Sequence, residues 1–173
     1  MKILTTFIDC KKCQEKDKEG CCYFLNEDKY FAPILIEEEA QLLDKQLLTK
    51  YKNFHGVYQI KLIPSKKRKG YFVCPFFNEE NKRCSVYKKR PLDCQLWPIV
   101  MAYSKDKKMI EIVCADKNCC PKLKQMNEKD FNKYKKHIVD FLNSQGFRKR
   151  IKKYPGIIWE YQKDYFKIGV LTP

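Results

Sequence analysis

Hydrophobic positions along the chain fall into a few readable runs. Between residues 37 and 51, Ala40, Leu43, Leu47 and Leu48 recur at helical intervals behind Glu37, Glu38 and Glu39, acids that suit the positive end of a helix. The pattern predicts a docking helix there. Residues 57–62 and 70–74 are rich in aromatic and β-branched side chains, and the basic stretch 64–70 between them reads as the turn of a first hairpin. Residues 99–103 and 109–113 read as a second hairpin ending at Cys114. Asn127 suits the cap of a long helix running to Gln145, with Phe131, Tyr134, Ile138, Phe141 and Leu142 as its apolar stripe and Gly146 as its stop. The tail, 155–173, carries Ile157, Ile158, Trp159, Tyr161, Tyr165 and Phe166, enough apolar surface to pack back on the body.

These elements predict a small α+β single domain, residues 1–173, in which two β-hairpins and two main helices surround irregular cysteine-bearing loops. The cysteine-rich part spans 9–121, and 122–173 supplies the C-terminal helix and the aromatic tail. At 173 residues, 44% of them hydrophobic and 33% charged, the chain has the composition of a folded domain rather than of a disordered tail.

Charge narrows the choice of partner. The formal net charge is +15, and of the 36 basic residues 31 are lysine and 5 arginine. Lysine is a hydrated point charge, whereas specific base and phosphate recognition favours the planar arginine fork, so nucleic acid is weakly supported. An acidic protein or a redox partner fits the surplus equally well.

Cysteine is the unusual residue. Cys10, Cys13, Cys21, Cys22, Cys74, Cys84, Cys94, Cys114, Cys119 and Cys120 make ten. Such a count means either a disulfide framework in a secreted protein or thiolate ligation of metal in a reducing compartment. The apolar run 3–8 is too short for a signal-peptide core, and no run reaches the length of a membrane span. The expectation is a cytoplasmic protein whose sulfurs hold metal.

Thiolates are soft anionic donors, and Cys10-x2-Cys13 lets one turn present two of them to one centre. In extended backbone the adjacent Cys21 and Cys22 would point to opposite sides, so one of the pair is expected to ligate; the same holds for Cys119 and Cys120. Pro91 suits the first position of a short helix, placing Cys94 in its first turn, where the dipole favours an anionic sulfur. Arg90 stands ready for charge-assisted contacts beside it. His55 and His137 are weak ligand candidates. No glycine-rich nucleotide loop is present, and no Ser/His/Asp or paired-carboxylate set can be assembled from spacing.

The ordered set Cys10, Cys13, Cys21, Cys22, then the acidic helix, Cys74, Cys84, and Tyr87, Arg90, Pro91, Cys94 and Pro98 resembles the YkgJ-type cysteine-cluster family, a zinc- or iron-chelating domain. The resemblance covers about residues 9–121. It departs from the family in the seven residues between Cys13 and Cys21, in Gln95 where arginine is frequent, and in Lys122 after Cys120-Pro121; Cys114 is additional. The resemblance implies an iron–sulfur or zinc protein and leaves the reaction open. A flagellin lysine N-methylase contains a similar cysteine domain, which makes a side-chain methylase a further alternative.

Cys74, Cys84 and Cys94 are singly spaced rather than paired, which favours one or two [4Fe–4S] clusters gathered from separate loops over Zn2+ held by close pairs. The expected ligands are Cys10, Cys13, Cys22, Cys74, Cys84, Cys94 and Cys120, with Tyr87, Arg90, Pro91 and Pro98 supporting them. The contrasting expectation is a zinc-stapled module whose basic runs 66–69 and 148–153 bind nucleic acid or a protein.

Overall fold

In a computed structural model that describes residues 21–52, 54–115 and 120–172, the chain is α+β. It groups into two compact units, residues 1–95 and 96–173.

The first unit is made of short strands closed by tight turns: β1 (Tyr23–Phe24), β2 (Ile34–Ile36), β3 (Leu48–Lys50), β4 (Val57–Ile60), β5 (Ile63–Pro64), β6 (Phe72–Val73), β7 (Phe77–Asn78) and β8 (Arg83–Cys84). Helix α1 (Glu37–Ala40) follows β2, and helix α2 (Leu92–Leu96) ends one residue past the division between the units. All pairings are antiparallel, in the orders β1-β6-β5, β2-β4-β3 and β7-β8. The core lies among Leu35, Ala40, Leu43, Leu48, Ile60, Val73, Cys74, Phe76 and Phe77.

Two expectations are corrected here. The helix expected over 37–51 stops at Ala40. The Asp44 carboxylate accepts the Gln46 N–H at 3.0 Å and starts a 3-10 turn, Lys45–Leu47, after which Leu48 pairs with Ile60 as strand. The apolar spacing that reads as one helical face serves a turn and a strand instead. The hairpin expected between 57–62 and 70–74 is also rearranged: β4 pairs with β2 and β3, while β6 pairs with β5 and β1. The basic turn is kept, but it closes β5 onto β6. Burial explains the split, because Val57 and Ile60 are needed against the wholly buried β2.

The second unit contains β9 (Ile99–Tyr103), β10 (Ile110–Cys114), α3 (Pro121–Lys124), α4 (Glu128–Leu142), α5 (Gln145–Lys153) and β11 (Phe166–Val170). The expected second hairpin is there, in a register from Ile110↔Tyr103 to Cys114↔Ile99. The tail packs back as expected. Trp159 donates its N–H to the Met101 carbonyl at 2.8 Å and is buried, and β11 adds to β10. Asn127 caps α4 by accepting the Asp130 N–H at 2.9 Å, and Phe131, Tyr134, Ile138 and Leu142 form its buried stripe.

The helix does not run to Gln145. The Asn143 amide donates to the carbonyls of Val139 and Val170, each at 3.0 Å, and the Ser144 hydroxyl accepts from Phe147 N–H to start α5. Gly146 therefore lies inside the next helix rather than stopping the first. Among the described residues no helix is long and apolar enough to cross a membrane.

Candidate metal centre

Strand register brings the cysteines of the first unit together. Cys22 stands just before β1 and Cys74 just after β6, and the pairing Tyr23↔Val73 sets them side by side, with the Cys74 N–H donating to the Cys22 carbonyl at 3.0 Å. A turn follows at once, Phe77 N–H donating to the Cys74 carbonyl at 2.9 Å, and β7 then places Phe77 opposite Cys84. Ser85 fixes the end of that hairpin, its N–H and hydroxyl both donating to the Phe76 carbonyl, at 2.8 and 3.0 Å.

The chain returns through a 3-10 turn, Tyr87–Lys89, to Arg90 and α2, which carries Cys94. Arg90 lies over the Tyr87 ring at 4.0 Å, and its Nε donates to the Tyr87 carbonyl. Gln95 donates to the Arg90 carbonyl at 2.7 Å. Two carboxylates anchor α2, a role the sequence pointed to for neither of them. Asp93 accepts the Ile34 N–H at 3.0 Å, and Glu39 accepts the N–H groups of Leu92 and Ile36 at 2.9 and 3.2 Å. No spacing pattern reports these bonds, since each spans more than fifty residues of chain except that to Ile36.

The electrostatics show five thiols acting on one another. The Cys22 thiol and the exposed Cys21 sulfur share a hydrogen bond that holds Cys21 below the ordinary value of 9.0, with help from Arg90. The same bond, then burial, then the charges of Cys21, Cys74 and Cys94, push Cys22 well up. Burial raises Cys74 to about 12, although N–H groups of Phe76 and Phe77 face it. Burial also raises Cys84, opposed by the Val86 N–H and Arg90. Cys94 goes well above the ordinary range through burial, reinforced by Cys74 and Asp93.

Two expectations change in consequence. Cys21 and Cys22 lie in a turn rather than in extended backbone, so both sulfurs meet instead of diverging. Desolvation at Cys94 outweighs the benefit expected from the start of a helix. Pro91 also sits one place earlier than expected, its carbonyl accepting the Gln95 N–H as α2 begins at Leu92.

Of the other candidates, Cys114 ends β10 and Cys120 precedes α3, both buried within the second unit, which also holds the buried Pro98. Cys10, Cys13 and Cys119 lie outside the described residues. His55 and His137 are exposed. No two described cysteines are joined by a disulfide. Among the described residues, no group of three or more histidine, cysteine, aspartate or glutamate side chains is disposed to hold a metal ion.

The donor chemistry nonetheless fits a thiophilic centre. The gathered side chains are all sulfur, one arginine faces them, and burial makes several anionic thiolates together unfavourable without a compensating cation. What the described residues form is a gathering of sulfurs rather than a finished coordination shell. Set against known proteins, the chain matches no family model, no curated protein and no solved structure.

Proposed function

We propose that the chain is an iron–sulfur protein of the YkgJ type, holding one or two [4Fe–4S] clusters on cysteine thiolates and serving redox or modification chemistry in a reducing, cytoplasmic setting. One observation carries the reading: thiols at 21–22, 74, 84 and 94 converge in the first unit, without a disulfide among the described cysteines. Cys22, Cys74, Cys84 and Cys94 are the ligands of this reading within the first unit; of the other expected ligands, Cys10 and Cys13 lie outside the described residues and Cys120 belongs to the second unit. The cluster would supply one-electron chemistry, or a site that positions a substrate. Arg90 offsets part of the negative charge that thiolates bring, and the Glu39 and Asp93 bonds hold the Cys94 helix in place.

Anaerobic purification with iron, sulfide and zinc analysis tests it. Iron and acid-labile sulfide in equal amounts, with visible charge-transfer absorbance, are expected. A colourless protein that takes up no iron on reconstitution ends the iron reading, and bound zinc in that protein assigns the same sulfurs to a structural zinc site.

A further inference from the structure

Two hairpin turns of the first unit are tied together on the opposite end of their strands from the cysteines. Glu79, in the turn between β7 and β8, accepts hydrogen bonds from the Ser65 hydroxyl, from Lys66 N–H at 2.9 Å and from Tyr23 Oη at 3.1 Å. Glu80 of the same turn pairs with Lys67 at 2.6 Å. Ser65 Oγ in turn accepts the N–H groups of Lys67 and Arg68 at 3.2 and 2.9 Å, so the basic turn 65–71 is a fixed shape. It presents Lys66 and Lys69 to solvent, neither with an ion-pair partner among the described residues. Arg68 lies 4.3 Å over the Tyr23 ring, and Lys82 lies 5.6 Å over it.

We propose that this joined pair of turns, Lys66 and Lys69 with Arg68 and Lys82 behind them, is a docking surface for an acidic protein. Its cations, Lys66, Lys67, Arg68, Lys69, Lys82 and Arg83, outnumber its two carboxylates, Glu79 and Glu80, and both of those are engaged in holding the turns. The complement is a cluster of carboxylates. Single-stranded nucleic acid is disfavoured because the aromatic faces that would stack bases are already covered: Tyr23 by Arg68 and Lys82, Phe72 by Lys29 at 3.3 Å. Position gives the contact its purpose, which rests on the metal–thiolate reading. Gly70 is four residues from Cys74 and Lys82 two from Cys84, and at no more than about 3.5 Å of chain per residue the turns lie within roughly 14 Å of those residues, so a docked partner sits within electron-transfer reach of the sulfurs.

Poly-L-glutamate is the probe, with oligouridylate as comparison and metal content measured on every preparation. Wild-type protein binds poly-L-glutamate with an affinity that falls as salt rises. The double variant Lys66→Glu/Lys69→Glu weakens binding about tenfold, while Lys149→Glu/Lys152→Glu, the same charge change on exposed positions of α5, changes it about twofold or less. Glu79→Gln weakens binding although it makes the surface more positive, because the turns lose their tie. Equal losses in the two double variants, tighter binding by folded Glu79→Gln, or preferential capture of oligouridylate through Lys66 and Lys69 overturns the proposal. Wild-type protein that binds the probe but holds no metal removes the metal reading alone.

Discussion

The Cys74 N–H donates to the Cys22 carbonyl at 3.0 Å, so two cysteines far apart in the chain share the first rung beyond a strand pair. The bond is of ordinary length, buried on the Cys74 side and independent of the thiols themselves. It fixes the backbone spacing of the two cysteines, and serine at either position leaves it intact.

That independence sharpens the first prediction. Serine in place of Cys22, Cys74, Cys84 or Cys94, each tested singly, lowers metal content and thermal stability together, because metal binding and folding are coupled. Elemental analysis and thermal melting on the same samples check it. Full metal stoichiometry in all four variants contradicts the ligand assignment.

Thiol reactivity supplies the second. In reduced, metal-free protein Cys21 is held below 9.0 by its hydrogen bond with Cys22, whereas burial raises Cys74 to about 12. Near pH 8 Cys21 therefore carries the larger thiolate fraction and is alkylated by iodoacetamide first, with Cys74 far behind. Peptide mass spectrometry over a time course reads the order, and labelling of Cys74 ahead of Cys21 refutes it.

Glu39→Ala leaves the N–H groups of Ile36 and Leu92 without their carboxylate acceptor. The expected loss is about 1.5–3 kcal/mol in urea unfolding, the range for hydrogen bonds to charged groups. Gln41→Ala, exposed just beyond α1, changes stability by about 0.5 kcal/mol or less. A Glu39 variant as stable as the Gln41 variant shows that α2 is held by other means.

How much of this was legible in the sequence depends on the range of the interactions involved. The β9–β10 hairpin and α4 were readable because pattern, turn and cap are local, down to Asn127 at the cap. Rarity of the residue type marked Cys74, Cys84 and Cys94 as candidates, but which of them come near one another depends on strand pairing that no local pattern reports. The Glu39 bond to Leu92 and the roles of Glu79 and Asp93 had no local signal, since those partners lie far along the chain in other elements. Residues 37–51 misled because Leu47 and Leu48 satisfy a helical stripe and a buried strand start equally well.

Acid should act on the tie between the two hairpin turns. Burial would raise the Glu79 pKa, but hydrogen bonds from Ser65, the Lys66 N–H and Tyr23 outweigh it and hold the group below 4.5. A carboxyl depressed in the folded state contributes stability above its unfolded value, and that contribution fades as pH falls from about 4.5 through the folded value. Wild-type stability therefore drops more steeply than that of Glu79→Gln below pH 4.5. Parallel pH profiles of the two proteins would show the tie to be insensitive to protonation.

In the second unit, a Cβ at Gly169 would lie 2.8 Å from Val139 Cγ2. Gly169→Ala is expected to cost about 1–3 kcal/mol by overpacking. Adding Val139→Ala recovers part of the loss, so the double variant is more stable than the sum of the single changes implies. Strict additivity would mean that β11 shifts rather than clashes.

Because Cys22, Cys74 and Cys84 meet through strand pairing at the bases of hairpins, the number of residues between them is not what holds the sulfurs together. Residues can be inserted at the tip between β5 and β6 or between β7 and β8 without displacing these cysteines, provided the rungs Tyr23↔Val73 and Phe77↔Cys84 survive. Proteins built on this arrangement are free to diverge in the counts that motif searches rely on, and what they would share is a pairing scheme rather than a spacing.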